Sequence, residues 1–304
     1  MESLLSVIEE ELVKYLDPEV RTVLEIGRYI VSSGGKRIRP ILTLLTCRAL
    51  GGDESKVYPL AVGIEYIHVA SLLHDDVVDG ANMRRGKPSA NLLFGNEACV
   101  LTGDYMYAKA LWLYSIYGSM KSIQIVSRAV MDMSQGQMLE LNSIGNLIDE
   151  KTYFEIIDKK TGVLFGASMA VGALSAQRED YEEFYRIGIK IGRAFQLIDD
   201  ALDYAGSQEK LGKPVGNDLK EGKCTYPLIS VLEKLHVEDV KSSLRNGNVE
   251  WLRQKVIELG GVKNTYERAR LEVQQALDEL YRIAGKDAFD VLSPIITSVV
   301  NRER

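Results

Sequence analysis

Three aspartates in the run His74-Asp75-Asp76-Val77-Val78-Asp79 have the spacing of a cation site. On a helix, Asp75 and Asp79 stand i,i+4 on one face, about one turn or ~6 Å apart along the axis. Asp199, Asp200 and Asp203 repeat the arrangement in Leu197-Ile198-Asp199-Asp200-Ala201-Leu202-Asp203. Carboxylates stacked this way repel by roughly a few tenths of a kcal/mol per exposed pair, and by more when partly buried. A bound cation relieves that repulsion. Oxygen donors with no cysteine and few histidines nearby favour Mg²⁺ or another hard ion. A single cluster would as readily be a solvated acidic helix end. Two clusters of matching form, each following apolar residues, speak against that. Glycosidase chemistry needs one lone acid and one lone base, not two trios.

Cations come next. Gly34-Gly35-Lys36-Arg37-Ile38-Arg39-Pro40 sets three positive charges at a glycine turn before a helix, where backbone N–H groups can also face an anion. Arg84, Arg85 and Lys87 follow the first acidic cluster. Either run alone is ordinarily a solvated basic loop. Beside a metal site both fit better as grips for a diphosphate, with arginine supplying forked donors. His68 lies seven residues before Asp75 and so shares its helix face; it is read as a substrate contact, and His74 as structural or supporting. No GxxxxGK[ST], GxSxG or Ser-His-Asp pattern is present, and Gly34-Gly35-Lys36 lacks the strand and spacing of a nucleotide-binding loop.

The elements that must position these residues are helical. Leu4, Leu5, Ile8, Leu12 and Leu16 mark one apolar face, and Asp17-Pro18 reads as an N-cap with a first-turn proline. A further helix breaks at Gly34-Gly35, and Pro40 opens another through Leu50. Periodic stretches cover roughly 56–79, 97–117, 119–142, 151–175 and 180–205. Pro227 and Pro294 also read as helix openers, and no sustained alternation suggests strands. The fold class is therefore all-α. Gly206 to Lys223 interrupts the order with glycines, lysines and Pro214; it reads either as a connecting loop or as a lid carrying Lys213 and Lys223 over a substrate. Residues after about 237 read as scaffold.

Bulk properties narrow the class. A formal net charge of -6 argues against a general nucleic-acid binder, though local basic clusters still permit anionic small molecules. Cys47, Cys99 and Cys224 are far apart and without a CxxC pair, as expected for thiols of a reducing compartment. The acidic Glu9-Glu10-Glu11 is unlike a signal peptide. No apolar run approaches ~18 residues; the longest, Gly162 to Ala176, is rich in Gly, Ala and Ser and suggests a closely packed internal helix. A cytoplasmic protein without a transmembrane segment is expected.

Gly34-Gly35-Lys36-Arg37-Ile38-Arg39-Pro40, Ser71 to Asp79 with Arg84-Arg85-Gly86, Asp158-Lys159-Lys160-Thr161-Gly162, and Phe195 to Tyr204 appear in one order. Together they resemble the trans-polyprenyl diphosphate synthase family, most like its medium- and long-chain, octaprenyl-type members. The resemblance implies one catalytic domain over residues 1–304, a helical bundle of isoprenoid synthase type around a deep central cavity, and a homodimer. It implies head-to-tail (1'-4) addition of isopentenyl diphosphate to an allylic diphosphate, dependent on Mg²⁺, with three ions once substrate is bound. Asp75, Asp79 and Asp199 would be direct metal ligands, and Asp76, Asp200 and Asp203 would hold metal waters or basic partners. Arg84, Lys160, Lys213 and Lys223 would grip the allylic diphosphate; Lys36, Arg39, His68 and Arg85 would hold isopentenyl diphosphate. Thr161 and Gln196 would orient or stabilise the allylic cation.

In this family the residues just before the first acidic motif gate product length. Ala70 and Ser71 lie about one turn below Asp75 and leave the path open. A product longer than geranylgeranyl diphosphate follows, with Tyr66 or Met131 as a floor. The alternatives are a geranylgeranyl diphosphate synthase, a subunit of a heteromeric synthase, or a terpene cyclase. A cyclase has no use for a second diphosphate pocket, against which Lys36, Arg39 and Arg85 speak.

Overall fold

The structure is a computed structural model that describes residues 2–205, 216–246 and 249–301. Contacts divide the chain into two compact units. One comprises Met1–Val130 with Ala167–Tyr185, the other Met131–Gly166 with Arg186–Arg304.

The first unit contains helices α1 (Glu2–Lys14), α2 (Arg21–Ser32), α3 (Ile38–Ala49), α4 (Tyr58–Val78), α5 (Ala90–Phe94) and α6 (Asn96–Tyr117), and the start of α7 (Met120–Ser143). Helix α4 is its centre: Leu60, Ile64, Tyr66, Ile67, Ala70 and Leu73 are buried. It runs antiparallel to α6, and small residues permit the approach at both ends. A Cβ on Gly63 would fall 2.7 Å from the Tyr114 ring, and one on Gly103 would fall 2.3 Å from His74 Nε2. Tyr114 donates to the Leu60 carbonyl at 3.0 Å, and Tyr66 donates to that of Leu12 at 2.6 Å. These bonds satisfy hydroxyls that burial would otherwise penalise.

The second unit continues from α7 through α8 (Glu150–Ile157), a π-helical turn (Asp158–Gly162), the first turn of α9 (Val163–Ser175) and most of α10 (Tyr181–Ala205), the rest of both helices belonging to the first unit. Short helices α11 (Asn217–Lys220) and α12 (Tyr226–Ile229) precede α13 (Val237–Asn246), α14 (Glu250–Glu258) and α15 (Gly261–Ser298). Helix α10 approaches the preceding segment closely, since a Cβ on Gly192 would lie 2.6 Å from Gly162 Cα. Tyr204, Leu219, Leu228, Val240, Leu252 and Val256 close a separate apolar cluster behind α10.

The all-α class holds, and no helix among the described residues is long and apolar enough to cross a membrane. Four local expectations need correction. Asp17-Pro18 does not open a helix: α2 begins at Arg21, and Asp17 instead accepts from Lys109 Nζ at 2.5 Å. Helix α3 begins two residues before Pro40, at Ile38, because Arg37 supplies a left-handed start. Pro294 lies inside α15; the break is at Gly285, with φ 76° and ψ -174°. The basic run after the first acidic motif is a short β-hairpin pairing Met83 with Pro88 and Arg84 with Lys87.

Candidate active site

In the first acidic trio, Asp75 is half-buried and Asp79 exposed, while Asp76 is 1 % exposed. The buried one has a structural partner: Arg84 donates from Nε to Oδ1 at 2.7 Å and to Oδ2 at 2.9 Å. The hairpin makes this reach feasible. Its central residues Arg85 and Gly86 have φ of 52° and 75°, the positive pair that a tight type I′ turn requires. The chain returns through Ser89, whose hydroxyl donates to the Ala81 carbonyl at 2.5 Å.

The two consecutive arginines part company at that turn. Arg85 lies over Gly35, where a Cβ would meet its Nη1 at 2.8 Å, and a φ of +141° favours glycine there. Arg85 and Arg39 also act on His68. Burial first, then Arg39, Arg85, Arg84 and Arg37, hold the His68 pKa well below its ordinary value. His68 is therefore a neutral imidazole among cations. Arg37 is bound inward by Glu65 at 2.8 Å, whereas Lys36 is exposed and Arg39 buried. Of the glycine-turn cations, Arg37 is the structural one.

Ala70 is fully buried on α4. Ser71 is half-buried, and its hydroxyl donates back to the His68 carbonyl at 2.8 Å, so the side chain presents mainly carbon. Tyr66 is fully buried, but Met131 is 56 % exposed and so encloses no floor.

The second unit gathers Lys160, Thr161, Gln196, Asp200 and Lys223 around one cavity of about 30 Å³, room for about one water. The π-helical turn presents the first two, and such turns recur at functional sites. Lys160 Nζ donates to Glu140 Oε2 at 2.5 Å, and Lys223 Nζ lies 3.6 Å from the same oxygen. Burial works to raise the Glu140 pKa, but the two lysines outweigh it and the net shift is downward. Burial also disfavours charge on Lys223, yet Glu140, Asp218 and Glu221 raise its pKa overall. Asp200 is 2 % exposed. Burial pushes its carboxyl up to about 7, against the hydrogen bonds from Tyr153 and Gln196. Asp199 is half-buried beside it. Asp203 caps α11, accepting from Asn217 N at 3.2 Å and Asp218 N at 3.1 Å. Lys213 lies outside the described residues.

Glu140, Tyr153 and Glu65 were not singled out from sequence. Glu140 stands 20 positions from Lys160, and no local spacing links them. Glu65 alone left a signal, as a carboxylate inside the apolar run of α4. A larger cavity of about 510 Å³ lies at the other end of α4, by Val57, Leu60 and Tyr117. It contains none of the aspartates, arginines or lysines singled out above.

Among the described residues no three His, Cys, Asp or Glu side chains converge as a closed metal site. The exposed and half-buried carboxylates Asp75, Asp79 and Asp199 offer hard oxygen donors of the type Mg²⁺ accepts, and that ion commonly completes its shell with waters and substrate phosphates.

Residues 20–256 match the polyprenyl synthetase family. The chain is 37% identical to the octaprenyl diphosphate synthase of Escherichia coli (strain K12), over 98% of its own length and 95% of that protein's. It is 34% identical to a short chain isoprenyl diphosphate synthase of Methanocaldococcus jannaschii, over 91% of its length and 82% of the relative's. A polyprenyl synthase from Caulobacter crescentus, solved with calcium and isoprenyl diphosphate, superposes with a TM-score of 0.93 at 32% identity, covering 100% of this chain and 96% of that one.

Proposed function

The chain belongs to the polyprenyl synthetase family and is a prenyltransferase, and on that premise we propose that it extends an allylic diphosphate by head-to-tail addition of isopentenyl diphosphate. The observation that carries this reading is the meeting of Lys160, Thr161, Gln196, Asp200 and Lys223 at one cavity. Two lysines suit a diphosphate leaving group, and neutral oxygens beside them suit a carbon that becomes cationic. Arg39 and Arg85 around a neutral His68 supply a second anion site, which a two-substrate condensation needs and a cyclase does not.

In the proposed reaction Lys160, Lys223, Lys213 and Arg84 hold the allylic diphosphate. Lys36, Arg39, His68 and Arg85 hold isopentenyl diphosphate. The allylic C–O bond breaks with its electron pair on the diphosphate. The isopentenyl double bond forms the new C–C bond, and the proton lost from the adduct goes to the released diphosphate. Thr161 and Gln196 present oxygen to the cationic carbon, so no protein nucleophile takes part. Asp75, Asp79 and Asp199 would hold Mg²⁺, which would supply charge neutralisation for the leaving group. Residues 1–304 are read as one catalytic domain; the family match over 20–256 takes in parts of both compact units.

We read the product as longer than geranylgeranyl diphosphate, because neither Ala70 nor Ser71 is bulky enough to close the path below Asp75. A homodimer is supported by an exposed apolar row on α6, where Leu101, Trp112 and Ile116 are half or more exposed. A cytoplasmic setting is supported by Cys47, Cys99 and Cys224, all free and buried. The functional test is transfer of label from radioactive isopentenyl diphosphate to farnesyl diphosphate. The purified protein is expected to form extractable product with Mg²⁺ and none after EDTA treatment. Absence of product with Mg²⁺, until a partner protein is added, would favour a subunit of a heteromeric synthase.

A further inference from the structure

Four side chains at the small cavity are joined in sequence. The Tyr153 hydroxyl donates to Asp200 Oδ2 at 2.6 Å. Gln196 Nε2 donates to Asp200 Oδ1 at 2.9 Å, and Thr161 Oγ1 donates to Gln196 Oε1 at 3.0 Å. All four line the cavity that also holds Lys160 and Lys223.

The order of donors is set by the geometry of these three bonds. An ionised carboxylate only accepts hydrogen bonds, an amide has one donating and one accepting end, and a hydroxyl can do either. Asp200 accepts at both oxygens, from Tyr153 and from Gln196, so the Gln196 NH₂ faces Asp200 and its carbonyl faces Thr161. The Thr161 hydroxyl must then spend its proton on Gln196, which leaves oxygen lone pairs for the cavity. Reversing the amide would aim the Thr161 proton outward, the wrong polarity for a neighbouring cation. Tyr153 pins the second carboxylate oxygen and thereby fixes the plane of the group. Its own ring is held by Phe154 and Tyr226, with centroids 5.4 and 5.6 Å away.

We propose that Tyr153 and Asp200 are positioning residues that set the direction of this relay, so that Thr161 offers lone pairs rather than a proton to the allylic cation. The proposal rests on the prenyl-transfer reading for its consequence, while the relay itself can be observed in resting, metal-free protein.

Two measurements test it. In protein labelled with ¹⁵N-glutamine and without metal, the Gln196 side-chain amide is expected to show one downfield, slowly exchanging proton that moves in Tyr153→Phe. An unmoved resonance would overturn the relay, whatever the enzyme's activity. The second measurement is a kinetic double-mutant cycle with Thr161→Val. Tyr153→Phe keeps the ring and is expected to lower kcat about tenfold in the wild-type background but less than about twofold in Thr161→Val, because residues acting as a unit are non-additive. KM for isopentenyl diphosphate and affinity for inorganic diphosphate should stay within about twofold, and Thr161→Ser should retain the tenfold response. An equal loss in both backgrounds, or a loss residing in KM, would mean that Tyr153 is merely structural and would overturn the proposal.

Discussion

Arg84 donates from Nε to both oxygens of the Asp76 carboxylate, at 2.7 and 2.9 Å, and its Nη2 lies 2.6 Å from Oδ1. This pair ties the turn of the basic hairpin back to the acidic helix, so the first aspartate motif carries one structural member and two more accessible ones. Asp76→Ala strands a guanidinium that is only 20% exposed. The expected loss is on the order of 3 kcal/mol in urea unfolding, and a loss below about 1 kcal/mol would show that the pair is not integral to the fold.

Tyr66 separates stability from product length. Tyr66→Phe removes the 2.6 Å bond to the Leu12 carbonyl and is expected to lower stability by about 1–2 kcal/mol, as a buried acceptor loses its donor. The ring remains, so the product distribution should not change. Chromatography showing altered product length in Tyr66→Phe would assign the hydroxyl a role in the gate that its backbone bond does not suggest.

Ser71→Phe places an aromatic ring about one turn below Asp75. Ser71 is half-buried and its neighbour Ala70 fully so, and on the proposed gate the ring would intrude on the path of the growing chain. Dephosphorylated products should shorten by one or more isoprene units. Unchanged length would remove these positions from the explanation.

His68 gives the fold a pH dependence of definite sign. Its pKa is lowered on folding, by burial first and then by Arg39, Arg85, Arg84 and Arg37. The unfolded chain therefore binds a proton more readily than the folded one. Stability from this group is complete above about pH 6.5 and is lost as pH falls from there toward the folded value. Urea midpoints measured from pH 8 to pH 5 should fall more steeply for wild type than for His68→Gln. Parallel curves would refute a neutral imidazole at this position.

Most of the helical frame was legible because apolar residues recur with helical period in α2, α7 and α10. Elements set by one backbone torsion were not. Gly285, not Pro294, breaks the last helix: its φ of 76° and ψ of -174° leave the helical region outright, a conformation that glycine adopts freely, while Pro294 is accommodated within the helix. The hairpin at 83–88 was missed because two residues per strand give no alternation to read. At the site, Lys160, Thr161, Gln196 and Asp200 were legible from motif resemblance. Glu140 and Tyr153 were not, because their roles arise from contacts across the fold, 20 and 47 positions away.

The most direct measurement uses the protein with farnesyl diphosphate, excess radiolabelled isopentenyl diphosphate and Mg²⁺, followed by dephosphorylation and sizing of the products. On the proposed reading that Ala70 and Ser71 leave the path below Asp75 open, an all-trans polyprenol longer than geranylgeraniol is expected. Geranylgeraniol or a shorter alcohol as the main product would contradict that open path, and no elongated product at all would contradict the prenyl-transfer reading itself.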